Sequence, residues 1–311
     1  CMTFKTNFMN NRRDFIKTAT AATVGTAVMP TNLFDNFGGN SIRAFGVQLF
    51  TFMFQMGKDP KGTLKRVAEL GYTEIESAFS GNEGFYGMAT KDFKAYIADL
   101  GIQWRSHHVL GAPFKLPEGM EMPKNADGSD LVIPKTLNLK ENMQQLVDQV
   151  AESGVSYAVC SSIPVDTIEE TKHAIEILNR SHEAFKKVGV ELGFHNHKWE
   201  FVDNNGQKPY DLLLSETELV MELDVAWSIQ GGADPIALID ANPGRFPLWH
   251  VKDFAEDGET VVSVGTGKID YEEIFKHAEK AGLKQFYVEH DMPKDGFESI
   301  ATSHAHLSKF I

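Results

Sequence analysis

His195, Asp224, His250 and Glu289 stand at the C-terminal ends of four successive strand-like runs. Two imidazoles and two carboxylates are a donor set for a divalent cation. Such mixed nitrogen and oxygen ligation suits Mn2+, Zn2+, Co2+ or Fe2+, admits Mg2+, and does not choose among them. One histidine or aspartate at a strand end is ordinarily a satisfied hydrogen-bonding residue. The coincidence across four runs carries the metal reading. In the fifth run the donor stays open among His195, His197 and Glu200, because His197 shares the parity of His195 and Glu200 follows in the loop.

The elements that must bring these residues together are legible between Leu219 and Phe254. Val220, Glu222, Asp224 and Ala226 share one face of a strand at 219–227, so Asp224 arrives near its end. Asp234 then reads as an N-cap, Pro235 as the first helical residue and Gly244 as the residue just past the helix end. A second strand, at 246–254, carries His250. A strand, helix, strand unit is normally right-handed with parallel strands, which puts Asp224 and His250 on one rim.

That unit repeats. Helix-like segments ending at Gly71, Gly101, Gly154, Gly189 and Gly282 each lead into a strand within a residue or two. Each glycine is placed for the left-handed conformation that ends a helix. With strands at 41–52, 219–227 and 246–254 the count is eight. Eight alternating strands and helices over residues 41–311 predict a single-domain α/β fold, a (β/α)8 TIM barrel, rather than an open sheet with a glycine-rich phosphate loop. Active sites of such barrels lie at the C-terminal strand ends, where Glu76, Arg105, His107, Asn196, Asp253, His290 and Asp291 also fall. Glu76 and Arg105 read as barrel salt-bridge or substrate contacts. Between Val109 and Thr136, Pro113, Pro117, Pro123 and Pro134 interrupt regular structure, and a lid or specificity loop is expected there.

Composition narrows the partners. With 311 residues and 42% hydrophobic content the chain can bury a large core. Arg12, Arg13 and Lys17 precede a run of small apolar residues too short for a stable membrane span, which predicts a twin-arginine export signal over residues 1–30, a periplasmic location and a linker at 31–40. Without residues 1–30, which hold Lys5, Arg12, Arg13 and Lys17 against Asp14, the formal charge moves from −13 to −16. Such a surface repels phosphate backbones, so nucleic acid is not an expected partner. Two cysteines, Cys1 and Cys160, leave no disulfide framework, and Cys160 reads as packed core.

GFHNHKWEF at 193–201, LDVAWSIQGGADPIALIDANPGRFPLWHVKDF at 223–254 and FYVEHD at 286–291 resemble, in order, signatures of the sugar phosphate isomerase/epimerase family. Its members have a xylose isomerase-like barrel and are related to endonuclease IV. The resemblance spans residues 41–311. It implies a metal-dependent isomerase or epimerase of keto-sugars that abstracts a proton beside a polarised carbonyl. Glu289 is then ligand and proton carrier, Lys252 and His197 are candidates for the second acid/base, and His108, Glu200 and Trp227 line the pocket. In related epimerases the strand-five ligand is a glutamate that shares acid/base duty, whereas this chain has His195. That difference admits a lyase or hydratase acting on 3-keto sugars or 3-keto-glycosides. A non-catalytic carbohydrate-binding barrel is the alternative outside enzymes.

Overall fold

Period-two runs bounded by glycine and interleaved with capped helices produce eight parallel strands. The computed structural model describes residues 44–113 and 136–311. We number the barrel strands β1 Gly46–Gln48, β2 Glu74–Ala78, β3 Gln103–Leu110, β4 Tyr157–Ser162, β5 Glu191–His195, β6 Val220–Asp224, β7 Leu248–Val251 and β8 Gln285–Val288. Each pairs with its neighbour in chain order, and β1 pairs with β8 to close the barrel. The expected (β/α)8 architecture is therefore present. The export signal at 1–30, the linker at 31–40 and residues 114–135 of the expected lid lie outside the described residues.

Helix boundaries follow the local chemistry. Asp59, Asn138, Thr167, Asp234, Asp270 and Asp295 each cap a helix through a side-chain oxygen, and Thr167 with Glu170 forms a reciprocal capping box. All five helix-ending glycines have positive φ, from 75° to 94°. Three strand boundaries differ from expectation. The first strand is only Gly46–Gln48, because Leu49–Phe52 form a 3-10 turn capped by Gln48. The sixth stops at Asp224, whose side chain caps a helix at Val225–Gln230, so Ala226 and Trp227 are helical. The seventh stops at Val251, and Asp253–Phe254 pair instead with Val261–Val262 in an antiparallel hairpin.

Apolar side chains fill the layer between barrel and helices. Burying that layer is the main stabilising contribution. Within the barrel, residues paired across neighbouring strands face the same way, so His195 shares parity with Glu222, Asp224 with His250, and His250 with Tyr287. Val159, Leu248 and Tyr287 form a separate apolar cluster inside. Gly46 makes room for it. A Cβ there would lie 2.5 Å from the Tyr287 ring. Towards the C-terminal mouth the interior becomes polar and ionised.

Candidate metal centre and acid/base site

Asp224 shows how the fold aims a functional side chain. Its Oδ1 accepts from the Trp227 amide at 2.8 Å and starts the following helix, while Oδ2 faces the barrel interior. Asn196 accepts from the Asp224 amide and donates to its carbonyl, both at 3.1 Å, stitching the end of β5 to β6. Glu200 accepts from the His197 amide at 2.9 Å and so shapes the turn after β5. Beyond β7, the Tyr271 hydroxyl accepts from the Lys252 amide at 2.9 Å and donates to its carbonyl. Asp253 accepts from the amides of Phe254, Gly265, Gly267 and Ile269, which makes it the anchor of that loop rather than a site residue.

Two sets of donors converge within 4.8 Å of one another, and His250 belongs to both. The outer set is Asp224, His250 and Glu289; the inner set is His108, His195, Glu222 and His250. His250 divides its nitrogens between them. Its Nδ1 lies 2.7 Å from Glu289 Oε2, and its Nε2 lies 2.6 Å from Glu76 Oε2 and 3.1 Å from Glu222 Oε2. His195 sits 3.0 Å from Glu222 and 3.9 Å from Asp224 Oδ2, so it leans towards the inner set. His108, expected as a pocket lining, stands 2.6 Å from Glu222 and 3.0 Å from Glu76, deep among the donors. His197 and Glu200 belong to neither set.

Lys252 is buried, not a surface lysine. Its ammonium lies 3.0 Å from Asp224 Oδ2, 2.9 Å from Glu289 Oε2 and 2.9 Å from Asp291 Oδ2. Burial opposes its charge, but these three carboxylates outweigh burial and raise its pKa well above the lysine range. Glu289 is likewise disfavoured by burial, yet Lys252 and His250 hold its pKa below the usual carboxylate range. Asp224 goes the other way: burial pushes it up to about 6 despite Lys252. Burial also raises Glu200 to about 7. His108 loses stability as a cation through burial, but Glu76 and Glu222 lift it to about 9. Burial and the surrounding positive groups keep His195 neutral, and His197 falls below the histidine range for the same reasons.

The donors fit a divalent cation on two grounds. Three imidazoles and three carboxylates supply the ligand types that transition metals take. Glu222 Oε1 is buried with no hydrogen-bond donor among the described residues, whereas Asp224 Oδ2 already faces the Lys252 ammonium. Buried anionic oxygens of this kind are costly unless a cation satisfies them.

Glu222 was absent from the candidate donors. Its signal was its place on the Asp224 face, two residues upstream. Glu76, read as a salt-bridge or substrate contact, is fully buried and bonds Gln48, Ser106, His108 and His250. Arg105 pairs with Glu74 at 3.4 Å. Trp227 is half-buried with its ring 5.3 Å from Lys252 Nζ. Burial of Cys160 pushes its thiol up to about 12, as for packed core.

A closed parallel barrel with carboxylates and imidazoles gathered inside the C-terminal mouth defines a class of barrel enzymes and their relatives. Within that class, the xylose isomerase-like TIM barrel family matches residues 64–310, and the chain belongs to it. Among solved structures, a sugar phosphate isomerase/epimerase from Parabacteroides distasonis is 27% identical with a TM-score of 0.69, covering 90% of this chain and 98% of that one. An L-ribulose 3-epimerase is 14% identical with a TM-score of 0.60, covering 85% and 93%. The IOLI protein, whose structure binds a zinc atom, is 16% identical with a TM-score of 0.61, covering 86% and 99%. These last two share the fold. No curated protein matches the chain.

Proposed function

We propose that the chain is a divalent-metal-dependent isomerase or epimerase of a keto-sugar. The observation that carries this reading is the contact of an ionised, buried Glu289 with both the Lys252 ammonium and His250. The ammonium fixed beside this carboxylate is placed to stabilise the negative charge that forms when a proton next to a carbonyl passes to Glu289.

In the proposed reaction the C–H bond next to the sugar carbonyl breaks and its proton passes to a Glu289 oxygen. The electron pair forms the carbon–carbon double bond of an enediolate, and the carbonyl oxygen takes up the negative charge. Lys252 donates a hydrogen bond to that oxygen. His250, Asp224 and Glu289 would hold the cation, with His195 as the nearest further donor, and the cation would supply Lewis-acid stabilisation of the same charge. Return of the proton to the neighbouring carbon, with the hydroxyl proton of the first carbon passing to the former carbonyl oxygen, gives the isomer; delivery of a proton to the opposite face of the first carbon by a second group gives the epimer. Glu200, raised to about 7, is the group whose protonation matches donation near neutral pH, with His197 beside it. Trp227 offers a flat face to the sugar.

His195 favours one second reading. It is neutral where related epimerases resemble one another in having a glutamate, so the same enediolate expelling a β-substituent makes a lyase on a 3-keto sugar. Incubating metal-loaded protein with keto-sugars and 3-keto-glycosides in D2O separates these outcomes by NMR. An isomerised or epimerised sugar supports the first and an eliminated product the second, while neither product nor exchange leaves a binding barrel. A periplasmic location through residues 1–30 belongs to the same proposal. The described residues contain no helix long and apolar enough to cross a membrane.

A further inference from the structure

We infer that the substrate carries a second sugar ring, held outside the reaction centre by Trp199 and Lys198; this inference rests on the keto-sugar reading above. A line of neighbouring groups runs outward from Glu289. Lys252 Nζ, 2.9 Å from Glu289, lies 5.3 Å from the Trp227 ring. Lys198 Nζ lies 5.9 Å from the same ring and 4.6 Å from the ring of Trp199. Two indoles thus stand in sequence, one half-buried next to the reacting groups and one farther out, with an ammonium between them.

Trp199 is 61% exposed, the most exposed large hydrophobic side chain among the described residues. Its backbone is nonetheless fixed in place. It opens the 3-10 turn Trp199–Phe201, and Phe201 is buried against Tyr210. Gly231 underlies the turn: a Cβ there would come 2.8 Å from the Lys198 carbonyl oxygen and 2.9 Å from the Phe201 ring. Glu200, between Trp199 and Phe201, ties the turn back to the His197 amide. An exposed indole on a clamped turn loses little conformational freedom when it binds a flat-faced ligand.

The chemistry of the pair selects a sugar rather than a plain aromatic group. A pyranose presents C–H groups to an indole and hydroxyl oxygens to an ammonium, so it serves Trp199 and Lys198 together. An aryl ring would cover the indole but leave Lys198 without an acceptor. The substrate class is therefore a keto-sugar joined to another sugar, with the outer ring on Trp199.

Calorimetric titration of the metal-loaded full chain with methyl β-D-glucoside, maltose, cellobiose and phenyl β-D-glucoside tests this. At least one disaccharide should bind about 5- to 10-fold more tightly than the methyl glucoside, the range of an aromatic contact. Trp199→Ala should erase that advantage and leave the methyl glucoside unchanged, and Trp199→Phe should retain most of it. Lys198→Met should weaken the disaccharide and not the phenyl glucoside. Disaccharides binding no better than the methyl glucoside, including no binding by either, would overturn the inference. So would a Trp199→Ala loss shared by all four ligands. Deuterium exchange on the keto-sugar panel is read separately. Exchange without a Trp199 effect removes the outer subsite alone; a Trp199 effect without exchange removes the isomerase reading alone.

Discussion

His250 joins the two donor sets, with one nitrogen turned to Glu289 and the other to Glu76 and Glu222. Among the described residues no other belongs to both sets. His250→Ala should therefore cost metal and activity together, checked by elemental analysis of the purified variant alongside turnover; full metal content in the variant would remove His250 from the ligand set. Glu200 supports a prediction of a different kind. Burial raises it from 4.5 to about 7, so between those pH values the folded protein binds a proton that the unfolded chain does not. Stability then falls as pH rises through that window. Glu200→Gln lacks this contribution. Its stability relative to the parent should be higher at pH 8 than at pH 5, by up to about 3 kcal/mol, in denaturant unfolding of metal-free protein. A pH-independent difference would contradict the raised value. At this scale the sequence exposed Asp224, His250, Glu289 and Lys252, because polar residues at strand ends break an apolar pattern visibly. Glu222 and Glu76 were harder to read, since a carboxylate inside a barrel is favourable only through partners from distant strands.

The element that carries Lys252 is held by one phenol. Lys252 lies between β7 and the Asp253–Phe254 hairpin strand, and Tyr271 bonds both its backbone groups. Tyr271→Phe leaves a buried N–H and C=O unpaired, at a cost of about 1–3 kcal/mol. We expect a lower Tm, retained metal and a reduced kcat, because the Lys252 ammonium is no longer fixed against Glu289. An unchanged kcat with a lower Tm would make Tyr271 structural only. The helix ends were readable here: glycines at positive φ and Asp or Thr caps are local chemistry. The strand ends were not. Asp224 closes its strand by capping a helix, and Val251 ends β7 where Asp253 collects amides from a loop more than ten residues on.

At the scale of the whole molecule, eight strands close because each short βα module repeats, and that repetition was visible without any tertiary information. The assignment of residues 1–30 as an export signal rests on sequence alone. Fused to a reporter that must fold before export, this segment should direct it to the bacterial periplasm, and replacing Arg12 and Arg13 by lysine should hold it in the cytoplasm; a reporter exported equally well with lysines would contradict the twin-arginine assignment.

Glu289 is the group proposed to move the proton. Metal-loaded parent and Glu289→Gln proteins incubated with the keto-sugar panel in D2O, and followed by NMR with metal content determined in parallel, test it most directly. The parent should place deuterium on the carbon next to the carbonyl. Glu289→Gln should keep most of its metal and exchange about 10²-fold or more slowly. Exchange at the parent rate in Glu289→Gln, with metal retained, would contradict the account and pass the proton-carrying role to His197 or Glu200.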